Sequence, residues 1–191
     1  MGFNDNERDD ILWNQFKEGD ETAFAIVFRR YYSPLFNYGC KISANHNLVE
    51  DCIQELFVEL WRSGGKANII SLKAYVFQAF KFKLVKLINK DNKAKALSEA
   101  IPENAFVVSH EMLLINNEQY SALNKKMFDA FDQLSPRQRE IIYLKFYQNL
   151  SYEAVASIMN INYQAARNLI YQSIKVLKKI IALYIVSLTF N

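Results

Sequence analysis

The sequence predicts an all-α protein: two small helical domains joined by a linker, the second built around a helix-turn-helix. Three observations carry this. The 191 residues are 51% hydrophobic with only five Gly and three Pro, a composition that favours long helices over a turn-rich β fold. Apolar residues recur at spacings of three and four, and no β-hairpin signal interrupts them. Cap residues stand just ahead of the periodic stretches.

The opening residues, MGFNDNERDD, are acidic and polar and do not read as a secretory signal. Asp20 is placed to cap a helix carrying Phe24, Val27, Phe28, Tyr31 and Tyr32. Pro34 is expected to kink or interrupt it before Leu35, Phe36 and Tyr38. Asn47 with Glu50 three residues on is a capping-box-like start for the clearest helix in the chain. Its apolar stripe is Val49, Cys52, Ile53, Leu56, Phe57, Leu60 and Trp61, all expected in the core, and Ser63-Gly64-Gly65 ends it. After a polar loop to about Ser71, a further helix runs from Leu72 to about Asn92. Tyr75, Val76, Ala79 and Phe80 turn inward, and Lys83, Lys86, Lys90 and Lys93 share one stripe.

Residues 94–110 contain Pro102, mixed polarity and no sustained period, which makes them the linker between a domain at 1–93 and one at 111–191. Phe106-Val107-Val108 within it is apolar enough to dock on a partner. In the second domain a helix ending at Leu134 precedes three more, near 136–147, 152–159 and 163–182. Ser135-Pro136-Arg137-Gln138, Ser151 and Asn162 are their starts.

Charge divides the chain. Residues 1–62 hold six Lys/Arg against eleven Asp/Glu, residues 73–95 seven Lys against one Asp, and residues 120–179 nine Lys/Arg against four Asp/Glu. Two basic segments beside an acidic one point to polyanion contacts at two places and a different partner at a third. Enzyme readings find little support. His46 and His110 stand apart from any nucleophile motif, and Cys40 and Cys52 lack metal-ligand spacing. No phosphate-binding Gly loop is present, so no catalytic residue, metal or cofactor is expected.

Leu150 to Ile170 has the anatomy of a helix-turn-helix. Ala156 sits where two helices cross closely. Asn160, four residues on, occupies the turn position that needs a left-handed backbone, which Asn tolerates. Val155, Met159, Ile161, Ala166 and Leu169 supply a shared core. The second helix would expose Tyr163, Gln164, Arg167, Asn168 and Tyr171, a set able to reach bases and phosphates, followed by Lys175, Lys178 and Lys179.

Leu134-Ser135-Pro136-Arg137-Gln138-Arg139-Glu140, followed by that segment, resembles the C-terminal promoter-binding domain of bacterial sigma factors of the extracytoplasmic-function group. Gly19-Asp20-Glu21-Thr22-Ala23-Phe24 with Tyr31-Tyr32 resembles the same family's opening segment. The run from Val49 to Trp61 resembles its most characteristic helix, Ala-Glu-Asp-x-x-Gln-Glu-x-Phe-x-x-x-Trp. Together these motifs cover most of the chain.

The resemblance implies a cytoplasmic protein that binds core RNA polymerase and promoter DNA. It implies that the face carrying Asp51, Gln54, Glu55, Val58, Glu59 and Arg62 docks on the clamp helices of the polymerase. The lysine helix, through Tyr75, Lys81, Lys83, Lys86 and Lys90, with Lys66 and Asn68 of the preceding loop, corresponds to the segment that reads and opens the minus-ten element. Arg137, Ser151, Tyr163, Gln164, Arg167, Asn168, Tyr171, Lys175 and Lys178 correspond to contacts with the minus-thirty-five element. Phe82 stands where the family often has Asn, and Leu169 where it often has Arg; both are expected as buried core. An anti-sigma factor is a further implied partner. The rival readings are a helix-turn-helix regulator that never joins the polymerase and a helical interaction protein.

The apolar run from Ile180 to Phe190 is shorter than the roughly 20 residues of a membrane span. It holds more apolar surface than one helical face hides, so it is expected to pack on a protein surface. The candidates are the N-terminal domain, a second copy of the chain (self-association) and the anti-sigma factor; the alternative is ordinary core of its own domain.

Overall fold

The computed structural model describes the backbone of residues 5–65, 69–94, 106 and 131–189, and the side chains of 9–65, 69–91, 106 and 131–180. The expectations for Lys66, Asn68, Lys93, Val107, Val108 and the tail side chains beyond Ile180 lie outside the described residues. The protein is all-α. Its residues group into two compact units, Met1–Glu103 and Asn104–Asn191.

Among the described residues the first unit holds four helices: α1 (Asp5–Lys17), α2 (Glu21–Ile42), α3 (His46–Ser63) and α4 (Leu72–Ala94). Sequence reading did not foresee α1. It buries Leu12, Trp13 and Phe16 against α2 and α4, and its buried Asp9 accepts hydrogen bonds from Arg30 and Tyr31 of α2. Asp20 caps α2, its carboxylate accepting from Thr22 N at 2.7 Å and Ala23 N at 3.1 Å. Of the two outcomes expected at Pro34, a kink or an interruption, the interruption does not occur, for α2 runs unbroken to Ile42. One core face carrying Val27, Tyr31, Leu35 and Tyr38 continues on both sides of the proline. That burial offsets the one main-chain bond Pro cannot donate.

α3 begins earlier than the Asn47 capping box would place it. Asn45 is the cap, its Oδ1 accepting from Leu48 N at 3.2 Å. The helix ends at Gly64, whose φ of 58° is the left-handed cap that glycine adopts without penalty. α4 buries Leu72, Val76, Phe77, Phe80, Leu84 and Ile88, while Tyr75 and Ala79 are half-buried. Phe82 overturns its expectation: it is 74% exposed. Two residues past Phe80, it lies roughly 200° around the helix, away from the core face.

The second unit contains α5 (Pro136–Ile142), a π-helical turn (Tyr143–Tyr147), α6 (Tyr152–Ile158) and α7 (Tyr163–Thr189). The capping box at the start of α5 is complete. Ser135 Oγ accepts from Gln138 N at 3.3 Å, and Gln138 Oε1 accepts from Ser135 N at 2.9 Å. The expected continuous helix to residue 147 instead widens: Gln148 N donates to Tyr143 O at 3.0 Å, a five-residue step. Leu134, Ile141, Leu144, Val155, Ala166 and Ile170 form the core. Phe106 docks within this same unit, buried with its ring 5.6 Å from that of Tyr143.

Candidate docking face and nucleic-acid interface

In the first unit, the burial of Val49, Cys52, Ile53, Leu56, Phe57 and Leu60 turns the opposite side of α3 to solvent. Asp51, Gln54, Glu55, Val58, Glu59 and Arg62 are all exposed there. Buried Cys52 has its thiol pushed up to about 12 by desolvation, so it is an inert core residue. Trp61 corrects the sequence reading. It is 41% exposed, on the flank of the apolar stripe, with its ring 4.9 Å from Phe24 and 5.9 Å from Phe16. Trp61 thus carries the aromatic packing out to the edge of the acidic face.

The structure brings together two residue groups that the sequence kept apart. Lys83 of α4 places Nζ 2.7 Å from Glu59 Oε1 and 3.0 Å from Glu55 Oε2. Desolvation of Lys83 opposes its charge, but the hydrogen bonds to Glu59 and Glu55 outweigh that, and its pKa is raised. The ammonium of Lys83 therefore turns to α3, while Lys86 and Lys90 are exposed. Lys81 is half-buried, and half-buried Tyr75 faces Trp13 with ring centres 5.9 Å apart.

In the second unit the helix-turn-helix is built from its caps. Ser151 Oγ accepts from Ala154 N at 3.1 Å to start α6. Buried Ala156 leaves room for the crossing, and its carbonyl accepts from Ile161 N at 3.0 Å. Asn160 turns the chain at φ 51°. Asn162 Oδ1 then accepts from Ala165 N at 2.7 Å and starts α7. With Ala166, Ile170 and Ser173 buried, Tyr163, Gln164, Arg167, Asn168 and Tyr171 are left exposed. Gln164 Nε2 donates to Asn168 Oδ1 at 3.1 Å, and the Arg167 guanidinium lies 5.8 Å from the Tyr163 ring centre. Lys175 and Lys178 continue the exposed side, and Arg137 is exposed in the first turn of α5. Leu169 is half-buried rather than core.

Sequence reading missed Lys145. Its Nζ donates to Leu150 O at 2.9 Å and lies 4.5 Å from the Tyr152 ring centre, which ties the π turn to the start of α6. The exposed aromatics Phe146 and Tyr147 on that turn were missed as well; the only sequence signal was their position just before the Ser151 cap. Among the described residues no group of three or more His, Cys, Asp and Glu side chains could hold a metal ion. No described helix is long and apolar enough to cross a membrane.

Residues 125–177, which contain this helix-turn-helix, match the family described as Sigma-70, region 4. The chain is 22% identical over 178 residues to the ECF RNA polymerase sigma factor SigK of Mycobacterium sp. (strain JLS), covering 88% of each chain. Its fold is similar to CnrH, solved in complex with the cytosolic domain of CnrY, with a TM-score of 0.58 at 16% identity, covering 92% of this chain and 97% of that one. It is likewise similar to the sigma factor RpoE, solved with the anti-sigma factor NepR from Bartonella quintana, with a TM-score of 0.56 at 20% identity, covering 83% of this chain and 96% of that one. The resemblance seen in the motifs at both ends therefore extends along the chain: residues 125–177 match the sigma-70 region 4 family, and most of the chain is similar to a sigma factor of the extracytoplasmic-function group.

Proposed function

We propose that this protein is a sigma factor that binds core RNA polymerase, recognises promoter DNA and initiates transcription. The observation that carries the reading is the helix-turn-helix: Asn160 makes the turn, and α7 presents Gln164, Arg167 and Asn168 to solvent. Such a helix enters the major groove with base-reading side chains near its N-terminal end. Arg167 suits guanine, while Gln164 and Asn168 suit adenine. Arg137, Ser151, Tyr163, Tyr171, Lys175 and Lys178 would position the helix on the minus-thirty-five backbone.

In the first unit, Asp51, Gln54, Glu55, Val58, Glu59 and Arg62 form the polymerase-docking face, where acidic charge steers encounter with a basic surface. Tyr75, Lys81, Lys83, Lys86 and Lys90, with Lys66 and Asn68 of the adjoining loop, serve the minus-ten element. Aromatic and cationic groups capture unstacked bases and phosphates there. The protein acts in the cytoplasm by binding, with no covalent step. The two structural relatives were solved with the cytosolic domain of CnrY and the anti-sigma factor NepR, which supports a partner of that kind here. The C-terminal tail is a second candidate contact, to such a partner or to another copy of the chain.

Incubating the purified full-length chain with core polymerase, then assaying transcription from genomic fragments, tests the reading. Stoichiometric co-elution with core and new, chain-dependent start sites are expected. DNA binding without core binding would instead identify a regulator that works outside the polymerase.

A further inference from the structure

Lys83 belongs to the basic helix α4, yet its ammonium is held by two carboxylates of the acidic face of α3, Glu59 at 2.7 Å and Glu55 at 3.0 Å. The side chain of Lys83 is 16% exposed, whereas those of Glu55 and Glu59 are 57% and 63% exposed. The carboxylates are therefore open to an incoming cation, while the lysine is largely covered by its partners. Lys86, less than one turn along, and Lys90 are exposed and reach solvent directly. One cation of the DNA-facing helix is thus neutralised by the anions of the docking face.

We propose that Lys83 is shared between two binding events: in the free chain it closes the Glu55–Glu59 pair, and when a basic protein surface engages those carboxylates it is released to a promoter phosphate. This rests on the sigma-factor reading above and adds to it a coupling between the two faces of the first unit. Exposed ion pairs are individually weak, so the latch opens readily when a partner supplies cations of its own. A lysine freed beside a polyanion gains a phosphate contact and releases a counterion. Because the coupling is thermodynamic, it is reciprocal: DNA that draws Lys83 away also unmasks the carboxylates for the polymerase.

A double-mutant cycle tests the latch on the full-length chain, with Lys83→Met, Glu55→Gln/Glu59→Gln and the triple variant. Fluorescence anisotropy of a labelled promoter fragment, without polymerase, reads DNA affinity. Neutralising the two carboxylates should tighten DNA binding by about threefold to tenfold when Lys83 is present. In the Lys83→Met background the same two substitutions should change it by less than about twofold, because the lysine they release is gone. Equal gains in both backgrounds would reduce the effect to general charge, and no gain with Lys83 present would remove it; either result overturns the latch. A second arm measures core polymerase binding. Lys83→Met should bind core at least as tightly as the parent, since its carboxylates stand unmasked, and a loss would mean that Lys83 organises that face rather than covers it. Glu55 and Glu59 lie at the surface, and Met keeps the apolar stem of the more covered Lys83, so thermal melts should stay close to the parent's. If the parent itself failed to bind core, the sigma-factor reading would fall, whereas a parent that binds core with a flat cycle would sink only the latch.

Discussion

Phe80 and Phe82 are two residues apart on α4 and differ completely in surroundings. Phe80 is fully buried among Tyr38, Gly39 and Cys52, while Phe82 is 74% exposed. Trp61 falls between them at 41% exposure, packed on Phe16 and Phe24 along one edge. Large-to-small changes cost the transfer energy of the lost atoms plus that of the cavity left behind, so the cost follows burial. Phe80→Ala should destabilise the first unit by about 3–5 kcal/mol, and Trp61→Ala by roughly half as much. Phe82→Ala should stay within about 0.5 kcal/mol of the parent. Urea unfolding of the three variants gives the ranking, and a Phe82 variant as damaged as the Phe80 one would contradict the described face of α4. Composition could not separate these residues, because both are Phe in an apolar helix. Only the 100° step of the helix, fixed against the positions of α2 and α3, tells them apart.

Among the elements, those legible in the sequence were the ones set by local chemistry. Asp20, Ser135, Ser151 and Asn162 each accept main-chain N–H donors two or three residues on, a reach that spacing alone reveals. α1 was not legible, because Leu12, Trp13 and Phe16 sit in a polar segment and its buried Asp9 depends on Arg30 and Tyr31 from another helix. The π turn escaped for a similar reason: it is closed by main-chain bonds from Gln148 and Leu150, residues beyond its own end. Helix contact at Gly39 is tighter still. A Cβ added there would stand 2.5 Å from Val49 Cγ1 and 2.8 Å from Phe80 Cζ. Ala is the better helix former by about 1 kcal/mol, but overpacking a core costs about 1–3 kcal/mol. Since Val49 and Phe80 are themselves buried and have little room to yield, the packing penalty should win. Gly39→Ala is therefore expected to lower the melting temperature of the first unit. A variant melting at or above the parent would show that α2 can shift away from α3 and α4.

At the scale of the molecule, the two units expose different charge. The exposed carboxylates of α3 belong to the first unit, and exposed Arg167, Lys175 and Lys178 to the second. The α7 face was legible because helix-turn-helix geometry fixes which side of its second helix stays open; the pairing of Lys83 was not, since it depends on how α3 lies against α4. Within the second unit, the proposed function assigns reading and holding to different positions along α7. Gln164 and Arg167 stand in its first turns, beside the Asn160 turn, whereas Lys178 lies about three turns further along the helix. Arg167→Ala and Gln164→Ala should each weaken binding to the upstream promoter element and relax discrimination at one or two base pairs, a loss of about 1–3 kcal/mol per bidentate contact. Lys178→Ala should weaken all sequences alike and reduce the slope of log K against log salt by about 0.9, the loss of one phosphate contact. The measurement is a salt titration of each variant on the preferred element and on a scrambled one. The Arg167 guanidinium near Tyr163 and the Gln164–Asn168 hydrogen bond already orient these side chains without DNA. Much of the discrimination should therefore come from pre-set geometry, and Asn168→Ala should partly reproduce the Gln164 defect. If all the α7 variants lost affinity equally on both sequences, with equal changes in salt slope, the helix would be holding the backbone and the bases would be read elsewhere.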